Sequence, residues 1–212
     1  MSNRLASRLF VVTDRAATRG RPLRDVVRAA LAGGARLVQL REKDLDGGNL
    51  LALAEPLVAD CHEVGAQLLV NDRVDVALAA GADGVVLPAD SFPTEVARQL
   101  LGSGASIGRS THASAEVERA AREGCDFALF GPVHATPAKA AFGPPQGLEQ
   151  LREASTRGVA VFAIGGITAA NARQAIEAGA HGVAVVREIM SAADPRGAVE
   201  SLLAALGETR AA

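Results

Sequence analysis

Four stretches of the chain, "AGGARLVQL", "AGADGVVL", "EGCDFALF" and "AGAHGVAVV", repeat one pattern. Each closes a helical periodicity at a glycine, crosses a small and a polar residue, and enters an apolar run. Glycine is the usual residue just past a helix end, because it adopts the left-handed conformation without steric cost. A strand that is apolar at consecutive positions is buried on both faces, as in a parallel sheet. The pattern predicts strands at Leu9–Thr13, Leu37–Arg41, Gln67–Asn71, Gly84–Leu87, Ser106–Arg109, Phe127–Phe130, Val159–Ile164 and Gly182–Val186. The segments between them carry helical faces: Leu23, Val26, Val27, Ala30 and Leu31; Val117, Ala120 and Ala121; Ala172, Ala175 and Ile176. Ser114 and Thr168 are the expected N-caps of two of these helices.

Eight strands alternating with eight helices in 212 residues describe an α/β fold, a (β/α)8 TIM barrel, as a single domain over residues 1–212. An open doubly wound sheet is the alternative. It would put a glycine fingerprint after the first strand, and "VVTDRAATRG" has none. The formal net charge is -2, with Lys and Arg scattered, so no surface for nucleic acid is expected. The chain has no Trp or Tyr, which argues further against base stacking. No apolar run approaches the roughly 20 residues needed to span a bilayer. "MSNRLASRLF" lacks the apolar core of a signal peptide, so a cytoplasmic location is expected. Cys61 and Cys125 have no CxxC partner and read as buried reduced thiols.

In a barrel of this kind the chemistry collects where the strands end. Strand one ends in Thr13 and Asp14; strand two gives Gln39, Arg41, Glu42 and Lys43. Strand three gives Asn71 and Asp72, strand four Asp90 and Ser91, and strand five Arg109, Ser110 and His112. Strand six leads into His134, Thr136 and Lys139, which lie on a long Pro-, Ala- and Gly-rich loop, Gly131 to Gln146, that reads as a lid. Strand seven ends at Gly165 and Gly166; strand eight ends at Val186 and Arg187. The opposite strand ends are mostly Gly, Ala and short turns.

Period-two spacing sends Gln39, Arg41 and Lys43 to one side, as an anion site requires. "AIGGIT" and the end of strand eight together form an expected phosphate site. His112 and His134 are candidates for proton transfer, since a histidine titrates near neutral pH. His62, in a helical pattern, and His181, in a turn, read as solvated. "VLPADSF" is either a metal-binding turn through Asp90 or a plain helix entry, for which Ser91 and Pro93 are suited.

The motifs "VQLREK", "VNDRVDVAL", "GADGV", "IGRSTH", "FGPVHATPAK", "AIGGIT" and "GVAVV", in this order, resemble the thiamin phosphate synthase/TenI family from about Leu9 to Ala205. The resemblance implies the (β/α)8 barrel and a thiazole phosphate as small-molecule substrate. For the synthase branch it implies that a pyrimidine diphosphate is joined to the thiazole phosphate with release of pyrophosphate. Gln39, Arg41, Lys43 and Asn71 would then meet the pyrimidine diphosphate, Ser110 and Lys139 would hold its phosphates, and Asp72 would bind Mg2+. Thr136 would contact the thiazole phosphate with the backbone at Gly166, Val186 and Arg187. The TenI-like branch implies a thiazole tautomerase that needs no metal.

Against the synthase pattern, Ser91 stands where the second magnesium ligand is expected, with Asp90 one residue early. Ala138 replaces a hydroxyl residue, and Arg187 a serine. "LPxxSF" and "IGRSxH" are TenI-like, whereas Arg41, Lys43, Asn71 and Asp72 are synthase-like. The expectation is therefore a TenI-like thiazole tautomerase with His112 and His134 moving protons and no cofactor. A synthase using Mg2+ on Asp72, and on Asp90 if that side chain reaches, is one alternative. A non-catalytic phosphate-ligand sensor is the other. A homo-oligomer is left open, and no nucleic acid or membrane partner is expected.

Overall fold

The computed structural model describes residues 5–136 and 144–208. Eight parallel strands form a closed barrel in chain order. They are β1 (Leu9–Val12), β2 (Leu37–Leu40), β3 (Gln67–Asn71), β4 (Gly84–Leu87), β5 (Ser106–Thr111), β6 (Phe127–Phe130), β7 (Ala160–Ile164) and β8 (Gly182–Val185). The barrel closes where Phe10 of β1 pairs with Ala184 of β8, which excludes the open sheet. Helices α1 (Leu23–Ala32), α2 (Gly47–Glu63), α3 (Val74–Ala80), α4 (Thr94–Leu101), α5 (Ser114–Arg122), α6 (Gly147–Ala154), α7 (Ala172–Glu177), α8 (Arg187–Met190) and α9 (Pro195–Ala205) follow the strands, α8 and α9 both after β8. Among the described residues no helix is long and apolar enough to cross a membrane.

The four sequence repeats are four copies of one helix-ending device. Gly34, Gly81, Gly124 and Gly179 all have positive φ, from 67° to 105°. In each copy the next residue's amide reaches back five positions: Ala35 to Ala30, Ala82 to Ala77, Cys125 to Ala120 and Ala180 to Ala175, at 2.9–3.1 Å. This is the 6→1 bond of a Schellman motif, which satisfies a carbonyl at the helix end and turns the chain toward the next strand. In the two middle copies the residue after that is an aspartate. Asp83 and Asp126 each accept the amide of the preceding strand's residue, Leu68 and Ile107, at 2.8 Å. In the last copy the position is His181, whose ring instead meets Phe162 edge-on, with centroids 5.3 Å apart. The expectation that His181 is solvated is therefore corrected: it is half-buried, and its Nε2 is buried without a partner.

Inside the barrel, Phe10, Phe127 and Phe162 meet pairwise edge-to-face at 5.6–5.8 Å. Such pairs contribute about 0.5–1.5 kcal/mol beyond their burial. Leu5, Leu37, Leu69 and Val86 join this inner cluster, and its remaining members, Val12, Leu129 and Ala184, border the cavity at the strand ends. Glycine makes the space. A Cβ on Gly108 of β5 would lie 2.2 Å from the Phe127 ring, and one on Gly182 of β8 would lie 2.7 Å from that of Phe162. A separate, larger shell joins the outer strand faces to the helices, and it contains Val26, Val27, Ala30, Val117, Ala172 and Ala175 as the periodicity predicts.

Two capping expectations are corrected. Ser114 is the first helical residue of α5, preceded by Ala113 in extended conformation, and its hydroxyl has no partner. Helix α7 begins only at Ala172, because Asn171 closes the preceding turn: it accepts from the Thr168 amide at 2.8 Å and donates to the Gly166 carbonyl at 2.9 Å.

Candidate active site

The strands end around a cavity of about 740 Å3. Pocket volumes of a few hundred to a thousand Å3 hold small ligands. The alternation of side chains sets its walls. On each strand the inward parity continues past the last ladder bond, so Asp14, Gln39, Arg41, Asn71, Pro88, Ser110, His112, Gly131, Gly166 and Val186 all line it.

One wall is polar and basic. Gln39 donates from Nε2 to Asn71 Oδ1 at 3.0 Å, which holds the two amides side by side. Gln39 Oε1 is buried with no partner. Arg41 and Lys43 line the same wall. Behind them is a buried brace that the residue types alone did not reveal. Thr13 Oγ1 accepts from the Arg41 amide at 2.9 Å and donates to Glu42 Oε1 at 2.7 Å. Glu42 also accepts from the Arg15 amide, at 3.1 and 3.2 Å to its two oxygens. Burial pushes the Glu42 carboxyl above the usual carboxylate range, opposed by the Thr13 and Arg15 bonds. This brace fixes the backbone that aims Arg41 and Lys43.

The facing wall is mostly backbone. Gly165 and Gly166 have φ of 99° and 65°, and their amides have no hydrogen-bond partner among the described residues. Both glycines are packed against the chain leaving β6: added Cβ atoms would lie 2.6 Å from Pro132 Cβ and 2.7 Å from His134 Cβ. Val186, Arg187 and Thr136 complete this side. A turn of left-handed glycines with unspent N–H groups is suited to a phosphate.

Between the walls stands the loop from β4 to α4. Asp90 lines the cavity, and Ser91 Oγ donates to Asp72 Oδ1. Asp72 is not a lining residue. It has φ of 64°, a left-handed conformation that costs a side-chain-bearing residue and recurs at functional positions. Helix α4 begins at Thr94 after Pro93, so "VLPADSF" is a helix entry whose serine is spent on Asp72 rather than on a cap. Among the described residues no three His, Cys, Asp or Glu gather as a metal cage.

The two histidines differ. His112 lines the cavity, and its Nδ1–H donates to the Gly131 carbonyl at 2.5 Å, which fixes the ring. His134 is not a lining residue, and its Nε2 is buried without a partner. The structure therefore does not bring the expected proton-transfer pair together: the chain after β6 is tied back, with the His134 amide on the Gly165 carbonyl at 3.0 Å. Lys139 lies outside the described residues. His62, expected to be solvated, is exposed on α2 and pairs with Asp83 at 3.1 Å.

Residues 9–189 match the family model described as thiamine monophosphate synthase, TMP-TENI. A Geobacter sulfurreducens protein is 51% identical over 200 residues, covering 93% of both chains. The thiamine-phosphate synthase of Methanoculleus marisnigri is 45% identical over 195 residues, covering 92% of each. That of Roseiflexus sp. RS-1 is 43% identical over 199 residues, covering 93% of this chain and 84% of its own. Among solved structures, thiamine phosphate pyrophosphorylase from Pyrococcus furiosus superposes with a TM-score of 0.85 at 37% identity, over 97% of this chain and 96% of its own.

Proposed function

The chain belongs to the thiamine monophosphate synthase family, and from that membership we propose that it is a transferase joining hydroxymethylpyrimidine diphosphate to thiazole phosphate with release of pyrophosphate. The observation that carries this reading over a tautomerase is the two-walled cavity: a basic side-chain wall facing a backbone phosphate cradle, with one histidine, His112, lining it among the described residues. Two phosphorylated substrates need two anion sites. The names of the relatives favour the synthase in the same way.

In this reading Arg41 and Lys43 hold the diphosphate, and the Gln39–Asn71 pair orients the pyrimidine end. Ser110 and Lys139 add donors to the diphosphate. Gly166, Val186 and Arg187, with Thr136, hold the thiazole phosphate across the cavity. The two reacting atoms are thereby faced toward each other, which lowers the entropic part of the barrier. The donor set suits Mg2+ as a partner of the diphosphate. That ion uses one or two carboxylates and completes its shell with phosphate oxygens and water. Asp90 borders the cavity and Asp72 stands behind it, joined through Ser91. When bound, Mg2+ would neutralise charge on the departing pyrophosphate.

The test is an assay of pyrophosphate release from the two substrates with and without Mg2+. Mg2+-dependent release at enzyme-limited rate is expected. No release at high enzyme, together with accelerated aromatisation of the thiazole carboxylate phosphate, would restore the tautomerase.

A further inference from the structure

One cation near the site points away from it. Arg109 occupies β5 between Gly108 and Ser110, in register with Leu87 of β4 and Ala128 of β6. Gly108 lies under the Phe127 ring inside the barrel, and Ser110 lines the cavity, so Arg109 leaves the strand on the outer face. It is only 3% exposed. A guanidinium so placed loses its hydration, and the loss must be offset by bonds in the protein.

Those bonds converge on one segment. Nη1 donates to the Pro88 carbonyl at 3.1 Å and the Ala89 carbonyl at 3.4 Å. Nη2 donates to the Phe92 carbonyl at 2.8 Å and to Thr94 Oγ1 at 3.2 Å. Glu123, at 3.5 Å, supplies the counter-charge, and Nε has no partner. The two arms of one planar group therefore hold the backbone on both sides of Asp90 and Ser91. Ser91 in turn bonds the left-handed Asp72.

We propose that Arg109 is a positioning residue: it clamps the β4–α4 loop from behind, and so sets where Asp90, Ser91 and Asp72 stand toward the Mg2+–diphosphate end of the cavity. The role of that end rests on the synthase reading. Lysine cannot replace the clamp, because a single ammonium lacks the fork that spans both arms of the loop.

The chain has no Trp, so Phe92→Trp places a unique fluorophore on the loop at a side chain that is 51% exposed. Arg109→Lys and Arg109→Met are made in that background. Fluorescence anisotropy reads loop order, and calorimetry reads inorganic pyrophosphate binding across a Mg2+ series. Inorganic phosphate binding at the glycine cradle serves as the internal control. Lower anisotropy in both variants is expected, along with a roughly tenfold higher Mg2+ requirement for pyrophosphate, as when an outer partner of a metal site is lost. Phosphate affinity should stay within twofold of the parent, and Arg109→Lys should recover less than half of the loss. If Arg109→Met does not fold, Arg109→Lys decides alone. Unchanged anisotropy and unchanged Mg2+ dependence in folded Arg109→Lys overturn the clamp. A parent protein that binds Mg2+ and pyrophosphate but never releases pyrophosphate from the substrates overturns the synthase reading while the clamp is still read by binding. A parent with no Mg2+-dependent pyrophosphate binding overturns both.

Discussion

Ser91 donates its hydroxyl proton to the carboxylate of Asp72, joining the β4 loop to the end of β3. The bond orients one carboxylate oxygen and leaves the other available. Ser91→Ala is expected to raise the Mg2+ concentration for half-maximal pyrophosphate release roughly tenfold, the usual effect of losing a ligand's outer partner. Asp72→Asn should do more, lowering kcat as well. Mg2+ titrations of both variants check this; a wild-type Mg2+ profile in Asp72→Asn would remove Asp72 from the metal's neighbourhood.

The glycine cradle makes a separate forecast. Gly166→Ala combines a φ of 65° with a Cβ 2.7 Å from His134 Cβ and 3.0 Å from the Ala135 carbonyl. Left-handed strain of this kind costs about 1–3 kcal/mol. The KM for the thiazole phosphate should rise roughly tenfold or more, with the pyrimidine diphosphate KM nearly unchanged. Equal effects on both would mean that the two walls do not serve separate anions.

In the barrel interior, Gly108→Ala drives a methyl group into the Phe127 ring and should destabilise the fold by about 1–3 kcal/mol. Phe162→Ala removes one member of the aromatic triad and should cost about 3–5 kcal/mol. Urea unfolding monitored by circular dichroism reads both.

His181 supplies a pH dependence. Burial beside Phe162, reinforced by Arg8, holds its imidazole below the ordinary histidine range. The folded state therefore resists protonation more than the unfolded chain does. The associated stability is fully present above the unfolded value near 6.5, and is lost as pH falls from there toward the lower folded value. The unfolding free energy of the wild type should decline over that window. His181→Gln, which cannot titrate, should show a shallower decline in the same urea titrations.

Both cysteines are buried, and burial pushes the Cys61 thiol up to about 12. A thiolate is the reactive form. Iodoacetamide at neutral pH should leave Cys61 unlabelled in the native protein and label it once urea is added, as mass spectrometry would report.

The barrel was legible because its signals are local. Four glycines at one place in four repeats are four left-handed helix ends, and period two alone foretold that Gln39 and Arg41 share a wall. What was not legible depends on partners distant in the chain. His181 reads as a turn residue until Phe162, on the neighbouring strand, covers it. His134 looks like a cavity residue until the glycine turn after β7 ties its backbone back. Arg109 and Ser110 are adjacent letters, yet parity sends one behind the wall and one into the cavity. Ser91, standing where a carboxylate is expected, is one of the departures, with Ala138 and Arg187, that make the sequence look like a tautomerase. Its bond to Asp72 gives that serine a place beside the acidic group instead of against it.

The phenylalanine triad and Leu5 have a kinetic meaning beyond packing. They fill the barrel interior in one cluster with Val12, Leu129 and Ala184, which line the cavity. A ligand group that reaches Val12, Leu129 and Ala184 is expected to have its way out crossed by a ligand bound nearer the strand ends. The expected outcome is product inhibition in the pattern of a queue rather than of two independent doors, which steady-state inhibition kinetics would check.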